Sequence, residues 1–338
     1  MMNFEILGIT VLWTFLYGYL IVASIDFGAG FFNYYSTVTG RAPIVKKVIN
    51  RYLSPVWEVT NVFLIFFYVG LIGFFPSLAF YYGTALLVPG SIAIILISLR
   101  GAYYAFHHYG HRESSWYQFL YGATGLLIPA SLSVVLTISE GGFINAEANN
   151  VRLEYADLFS SSYAWSVVFL AIVSVLYISA CFLTYYSYKA NDHGAFQLLR
   201  KYALFWSLPT ILASLLVFLS MRVHNPDHFY KMLDLSWLFA LSFLFFTGAV
   251  FLIWKKKKLG SAFILVMLQF AAAFYGYGAA HLPYVLYPYV TIYSGFTNET
   301  MAIALTIAFI AGLVLLVPSL YLLLRLFLFN NDYVKGKK

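Results

Sequence analysis

Nine stretches of this chain are long and apolar enough to cross a lipid bilayer, at 6–33, 57–80, 83–107, 116–138, 162–188, 198–221, 235–254, 259–281 and 300–329. A membrane helix needs roughly 17 to 25 such residues, so the expected fold is an all-α integral membrane protein with nine transmembrane helices. Charged residues make up only 10% of the chain and the mean hydropathy is +0.80, whereas a soluble domain carries about 25% charge.

The basic residues orient these helices. Fifteen of them fall in the loops after the first, third, fifth and seventh segments and in the tail: Arg41, Lys46, Lys47, Arg51, Arg112, Lys189, Arg200, Lys201, Lys255 to Lys258, Lys335, Lys337 and Lys338. The other side has only Arg152, Arg222 and Lys231. Cytoplasmic loops carry the positive excess, so the N-terminus is expected outside and the C-terminus in the cytoplasm. A net charge of +7 then sets topology and implies no nucleic-acid partner. The Lys255–Lys258 run anchors a helix end and suits lipid headgroups. Met1 to Glu5 offer no basic leader region, and the first run is too long for a signal-peptide core, so it is expected to remain as a helix. Aromatic pairs such as Tyr81–Tyr82, Tyr103–Tyr104 and Tyr185–Tyr186 suit the membrane interface. The single cysteine, Cys181, excludes an intramolecular disulfide and a cysteine-based metal cluster.

The longest external connection, Glu140 to about Ser161, carries four acids against Arg152, and its Gly141–Gly142 and asparagines read as turns on a solvated surface. It divides the chain into 1–140, a first four-helix bundle, the loop 141–161, and 162–285, a second bundle, with 286–338 holding a ninth helix and the tail. Pro89, Pro129, Pro209 and Pro318 are expected as kinks inside membrane helices. Gly276, Gly278, Ala279 and Ala280 form a small-residue face for close helix approach.

Three ionisable side chains stand where hydrocarbon should exclude them. Asp26 lies in Ile25-Asp26-Phe27-Gly28-Ala29-Gly30 within the first run; Glu58 follows Pro55, which is read as opening the second helix; Arg100 lies in the third. Counted along helices, Asp26 and Arg100 are on the order of 10 Å from cytoplasmic ends and Glu58 about 5 Å from its own. Intramembrane charges are costly and usually mark ion or proton pathways. Two acids with an arginine suit proton uptake: burial raises an acid's pKa, and the arginine holds one of them charged. An ion-pair brace without titration is the other reading, as is, for Glu58, an acid complementing its helix dipole. His107, His108 and His111 cluster at a cytoplasmic helix end and could buffer the pathway entrance. His224 and His228 fall in an external loop and His281 ends the eighth helix, positions that suit interfacial hydrogen bonding. Haem ligation in a bundle needs inward-facing histidines at membrane depth, and none sits there, so neither a haem nor a metal site is expected in this chain.

Asp26-Phe27-Gly28-Ala29-Gly30, Pro55-x-Trp57-Glu58-x-x-Asn61-Val62-Phe63-Leu64-Ile65, Arg100 and Leu316-Val317-Pro318-x-Leu320-Tyr321, in that order along the chain, together resemble subunit II of the cytochrome bd-type quinol oxidases. The resemblance implies two four-helix bundles plus a peripheral ninth helix in a prokaryotic cytoplasmic membrane. It implies a haem-bearing subunit I as partner, holding haem b and haem d, that oxidises quinol and reduces oxygen to water. It leaves room for a small single-helix subunit and for a structural quinone or lipid. It assigns acids matching Asp26 and Glu58 to a cytoplasmic proton route. The sequence departs from the family at Ala23, often an aspartate, at Trp57-Glu58-Val59-Thr60, where the family reads Trp-Asp-Gly-Asn, and at Asn61, a frequent carboxylate. Two other classes are a stand-alone proton-coupled transporter, which would use broken helices around a midplane site, and a membrane cytochrome, which an optical spectrum of the isolated chain would reveal.

Overall fold

The computed structural model describes residues 4–109, 115–147 and 150–327, except for the side chains of 50–59, 104–109, 115, 147, 150, 324 and 327. The chain runs through α1 (Phe4–Val38), α2 (Ala42–Phe74), α3 (Ser77–Ala85), α4 (Leu87–Tyr109) and α5 (Ser115–Ser139). An antiparallel hairpin of β1 (Ile144–Glu147) and β2 (Asn150–Leu153) follows, with Ile144 opposite Leu153, then α6 (Tyr155–Ser160). The second half comprises α7 (Ser162–Lys189), α8 (His193–His224), α9 (Pro226–Asp234), α10 (Ser236–Trp254) and α11 (Leu259–His281). A small pair, β3 (Tyr284–Leu286) and β4 (Val290–Thr291), leads into α12 (Glu299–Phe327).

Among the described residues, seven helices are long and apolar enough to span a membrane: α1, α5, α7, α8, α10, α11 and α12. The pair α3 and α4, bent by 76°, adds an eighth if it is one span. In the second expected segment, Thr60–Phe74 of α2 is an apolar helical stretch, and the side chains of 50–59 before it lie outside the described residues.

Two helix starts differ from expectation. α2 begins at Ala42 with Pro43 in its first turn, so Pro55 lies in the helix interior. The local sequence explains this: Val45, Val48 and Ile49 are fully buried at helical spacing while Lys47 is exposed, an amphipathic pattern that carries the helix back to residue 42. Pro89 does not kink a helix either. The chain turns at Leu86, and Pro89 falls in the first turn of α4, where a missing N–H costs nothing. Pro129, Pro209 and Pro318 do lie inside helices.

In the packing, α1 touches α2 and α5, and α4 touches α5; α7 touches α8 and α11, and α10 touches both α8 and α11. The two groups meet where α1 and α5 lie against α7. Consistent with that central position, every residue from Val173 to Thr184 in α7 is buried, the pattern of a helix apolar all round. α12 lies on α2, and much of its surface is exposed and apolar, including Ile307, Val314, Leu315 and Leu322.

The connection after α5 is more buried than its composition suggests. Gly141 and Gly142 do turn the chain, at φ +84° and +79°, but Phe143, Val151, Leu153 and Leu158 face inward. Glu140, expected on a solvated surface, is only 1% exposed. The turn folds it back beneath the β3–β4 segment, whose Tyr287 N–H donates to Ser139 O at 2.9 Å.

Candidate functional site

The segment Ala23 to Gly30 of α1 is buried without a break, and its glycines explain how neighbours reach it. A Cβ on Gly28 would lie 2.4 Å from Ser179 Cβ of α7, and one on Gly30 would lie 2.9 Å from Tyr121 O of α5. From the other side, a Cβ on Gly125 of α5 would lie 2.3 Å from Phe27 O. Backbones therefore approach closely on both flanks of Asp26, as small residues permit between membrane helices. Ser179 also donates from Oγ to Ile25 O at 2.8 Å, tying α7 to α1.

Into this junction α4 sends Arg100. Its Nε donates to Asp26 Oδ2 at 3.0 Å and its Nη2 to Asp26 O at 2.7 Å. Its Nη1 donates to Tyr121 O at 2.9 Å and to Thr124 Oγ1 at 3.4 Å. The guanidinium carbon lies 4.1 Å from the Tyr121 ring centroid and 5.1 Å from that of Phe27, so cation–π contact adds to the hydrogen bonds. Tyr121 OH donates to Asp26 Oδ1 at 3.2 Å. Asp26 and Arg100 are only 3% and 4% exposed, and a charge pair at that depth persists only when its remaining hydrogen-bonding positions are satisfied.

A small cavity of about 20 Å³ adjoins the pair, lined by Asp26, Phe27, Thr60, Asn61, Ile97, Arg100 and Gly101. That is room for one water, which needs at least ~10–15 Å³ by this measure and two to four polar partners. The cavity is also where α2 reaches the pair, through Thr60 and Asn61.

The structure thus brings Asp26 and Arg100 into contact. The helices run on past the expected ends, so Asp26 lies about 18 Å along α1 from Val38 and Arg100 about 14 Å along α4 from Tyr109 at 1.5 Å per residue. Glu58 belongs to the same α2 turn region as Thr60 and Asn61, about 24 Å from the start at Ala42 and not in a first turn; its side chain lies outside the described residues. The side chains of His107 and His108 also lie outside them, as does His111 entirely. Tyr121 and Thr124 were not anticipated. Their only signal is the run Tyr121-Gly122-Ala123-Thr124-Gly125, whose small residues mark close helix approach.

The remaining described histidines stand at helix ends. His193 opens α8, His224 closes it between the rings of Phe143 and Tyr163, at 4.9 and 4.8 Å, and His228 and His281 flank Glu140. A cavity of about 730 Å³ extends between the two helix groups, lined mainly by apolar side chains, among them Trp13, Leu20, Phe27, Phe67, Phe243 and Phe274.

A family model described as cytochrome bd terminal oxidase subunit II matches residues 4–327. A Bacillus subtilis (strain 168) protein with the provisional name of a cytochrome bd menaquinol oxidase subunit II is 33% identical over 344 aligned positions, covering 98% of each chain. A chain in the structure of bd oxidase from Geobacillus thermodenitrificans superposes with a TM-score of 0.86 at 60% identity, covering 97% of this chain and 100% of that one.

Proposed function

Because this chain belongs to the cytochrome bd terminal oxidase subunit II family, a component of a quinol oxidase complex in a prokaryotic membrane, we propose that it scaffolds the haem-bearing subunit I and conducts protons toward the oxygen-reducing site. Reducing oxygen to water consumes protons, and those protons must cross a low-dielectric interior to reach it.

The observation that carries the proton route is the water-sized cavity between Asp26, Arg100 and α2. It gives a carboxylate, a fixed cation and a water position at the junction of three helices, with Glu58 on the α2 segment that borders it. In this reading Glu58 delivers protons from the cytoplasmic side, helped by His107, His108 and His111 at the entrance. Arg100 pairs with Asp26, and Tyr121 orients the carboxylate. The reading includes nine spans, with α2 crossing the membrane alongside the α3–α4 pair, the N-terminus outside and the C-terminus in the cytoplasm. It also keeps the division into bundles at 1–140 and 162–285 joined by the 141–161 connection.

The described histidines fit haem poorly, because they stand at helix ends and not on facing helices at mid-depth. We accordingly place haem b and haem d in subunit I. The 730 Å³ cavity, with its apolar lining, suits a lipid tail or the isoprenoid tail of a quinone as a structural filler. A small single-helix subunit would fit the exposed apolar faces, and menaquinol is the first electron donor to test, after the name of the B. subtilis relative. Membership of this family disfavours the transporter reading.

The test is quinol-driven oxygen uptake by the assembled oxidase. Asp26→Asn and Glu58→Gln are each expected to lower turnover on the order of tenfold, a barrier change of only ~1.4 kcal/mol, with haem content unchanged. Wild-type turnover in both single variants and in the double variant would refute the proton route and leave Asp26–Arg100 as a brace.

A further inference from the structure

At the far end of α5 from Tyr121, about 27 Å along the helix axis, a second polar cluster is buried that the proton route does not use. Glu140 follows the last turn of α5, His228 lies in α9 and His281 is the last residue of α11. His228 Nδ1 lies 2.8 Å from Glu140 Oε2, and His281 Nδ1 lies 3.2 Å from Oε1. The carboxylate side chain is 0% exposed and the two imidazoles 3% and 10%. One donor atom from each of the three residues lies within 4.8 Å of the others.

We propose that Glu140, His228 and His281 form a binding site for a divalent transition-metal ion of the zinc class. The donor chemistry is that of a site with three protein ligands, two imidazoles and a carboxylate, and one coordination position left open. Ligands about 2.0–2.1 Å from a tetrahedral zinc lie about 3.3 Å from one another; here the two imidazoles approach different oxygens of Glu140, at 2.8 and 3.2 Å, and one donor atom from each residue lies within 4.8 Å of the others. Small shifts would therefore admit the ion.

The surroundings are those that orient metal ligands. His228 Nε2 lies 3.3 Å from Tyr277 O, so it donates there and presents Nδ1 to the carboxylate, the outer hydrogen bond by which metal-bound histidines are held in one tautomer. Glu140 is fixed in turn by Asn225 Nδ2, which donates to Oε2 at 3.1 Å, and by the Tyr277 hydroxyl, which donates to Oε1. His228 Nδ1 approaches a carboxylate oxygen to 2.8 Å, a contact that a proton or a metal ion can bridge. His281 Nε2, which points away from Nδ1 and from the carboxylate, is buried with no hydrogen-bond partner among the described residues. The large cavity reaches it as well, lined there by Ser139, Tyr163, Tyr277 and His281, and supplies a route to the open position.

This inference does not depend on the proton route, and its test reads metal content. The assembled oxidase would be purified without a polyhistidine tag, equilibrated with micromolar zinc chloride, freed of loose metal by gel filtration, and assayed for zinc against haem iron. One zinc per chain is expected, with an X-ray absorption shell of nitrogen and oxygen ligands at about 2.0–2.1 Å. His228→Gln and His281→Gln should each lower occupancy at least tenfold, the scale of loss that even an outer partner can cause, while His224→Gln retains it. Haem content and melting temperature show whether each variant is assembled; if the ligand variants fail to assemble, the absorption shell of the wild-type oxidase decides. Substoichiometric zinc in the wild type, zinc held equally by the ligand variants, or a shell without imidazole would overturn the proposal and leave a proton-bridged His–Glu–His triad.

Discussion

Replacing Arg100 with leucine is expected to cost the protein about 3–5 kcal/mol, the penalty for leaving one partner of a buried ion pair uncompensated. The guanidinium serves both Asp26 Oδ2 and Asp26 O, together with Tyr121 O and Thr124 Oγ1. Without it the buried Asp26, 3% exposed, loses its charged partner while Tyr121 OH still donates to Oδ1. The measurement is thermal denaturation of the assembled oxidase with haem content as a second readout; an unchanged melting temperature would show that the pair is not a brace. Arg100→Lys should be almost as damaging, because an ammonium cannot make the forked set of bonds that reaches two helices at once. Adding Asp26→Asn to Arg100→Leu should recover part of the stability, since the carboxylate that lost its partner is then removed as well. The same double variant separates the two roles of the acid. Recovered stability without recovered oxygen uptake means that Asp26 is needed as an acid, whereas recovery of both would make it a structural partner of Arg100 only.

This pair is also where sequence reasoning reached furthest. A charge in an apolar run is legible from composition alone, because hydrocarbon makes every such residue an exception that needs a partner, and helix counting put Asp26 and Arg100 at similar depth. The partners contributed by α5 were not legible. Tyr121 is one tyrosine among 29, and only the glycines on either side of the junction hint that α5 comes close enough for its phenol and its carbonyl to matter.

Helix ends were harder to read than helix interiors, for a physical reason. Hydropathy locates the part of a helix that lies in lipid, but α2 continues toward Ala42 on an amphipathic pattern, Val45, Val48 and Ile49, that hydropathy averages away. The same limit hid the Glu140 cluster. Its three ligand residues come from the ends of three different elements, 88 positions apart from Glu140 to His228 and further to His281, so each looked like an ordinary interfacial residue. The turn at Gly141–Gly142 and the packing of Asn225, His228, Tyr277 and His281 around Glu140 make the site a buried one.

The close approach of α1 and α5 predicts the second large effect. Gly125→Ala should destabilise the assembled oxidase by about 3 kcal/mol, at the upper end of typical overpacking costs. Its new Cβ would fall 2.3 Å from Phe27 O and 3.1 Å from Phe27 C. Those atoms are backbone, so relief cannot come from a rotamer change. It requires α1 and α5 to separate, which would stretch the Arg100 and Tyr121 hydrogen bonds that span the same contact. Oxygen uptake and melting temperature should therefore fall together. Gly83→Ala is the matched control, since nothing lies within 4 Å of a Cβ there, and a helical glycine replaced by alanine without a clash is expected to gain about 0.5–1 kcal/mol. Equal melting temperatures for the two variants would mean that the α1–α5 contact is looser than these distances require, and the narrow junction around Asp26 would lose its physical basis.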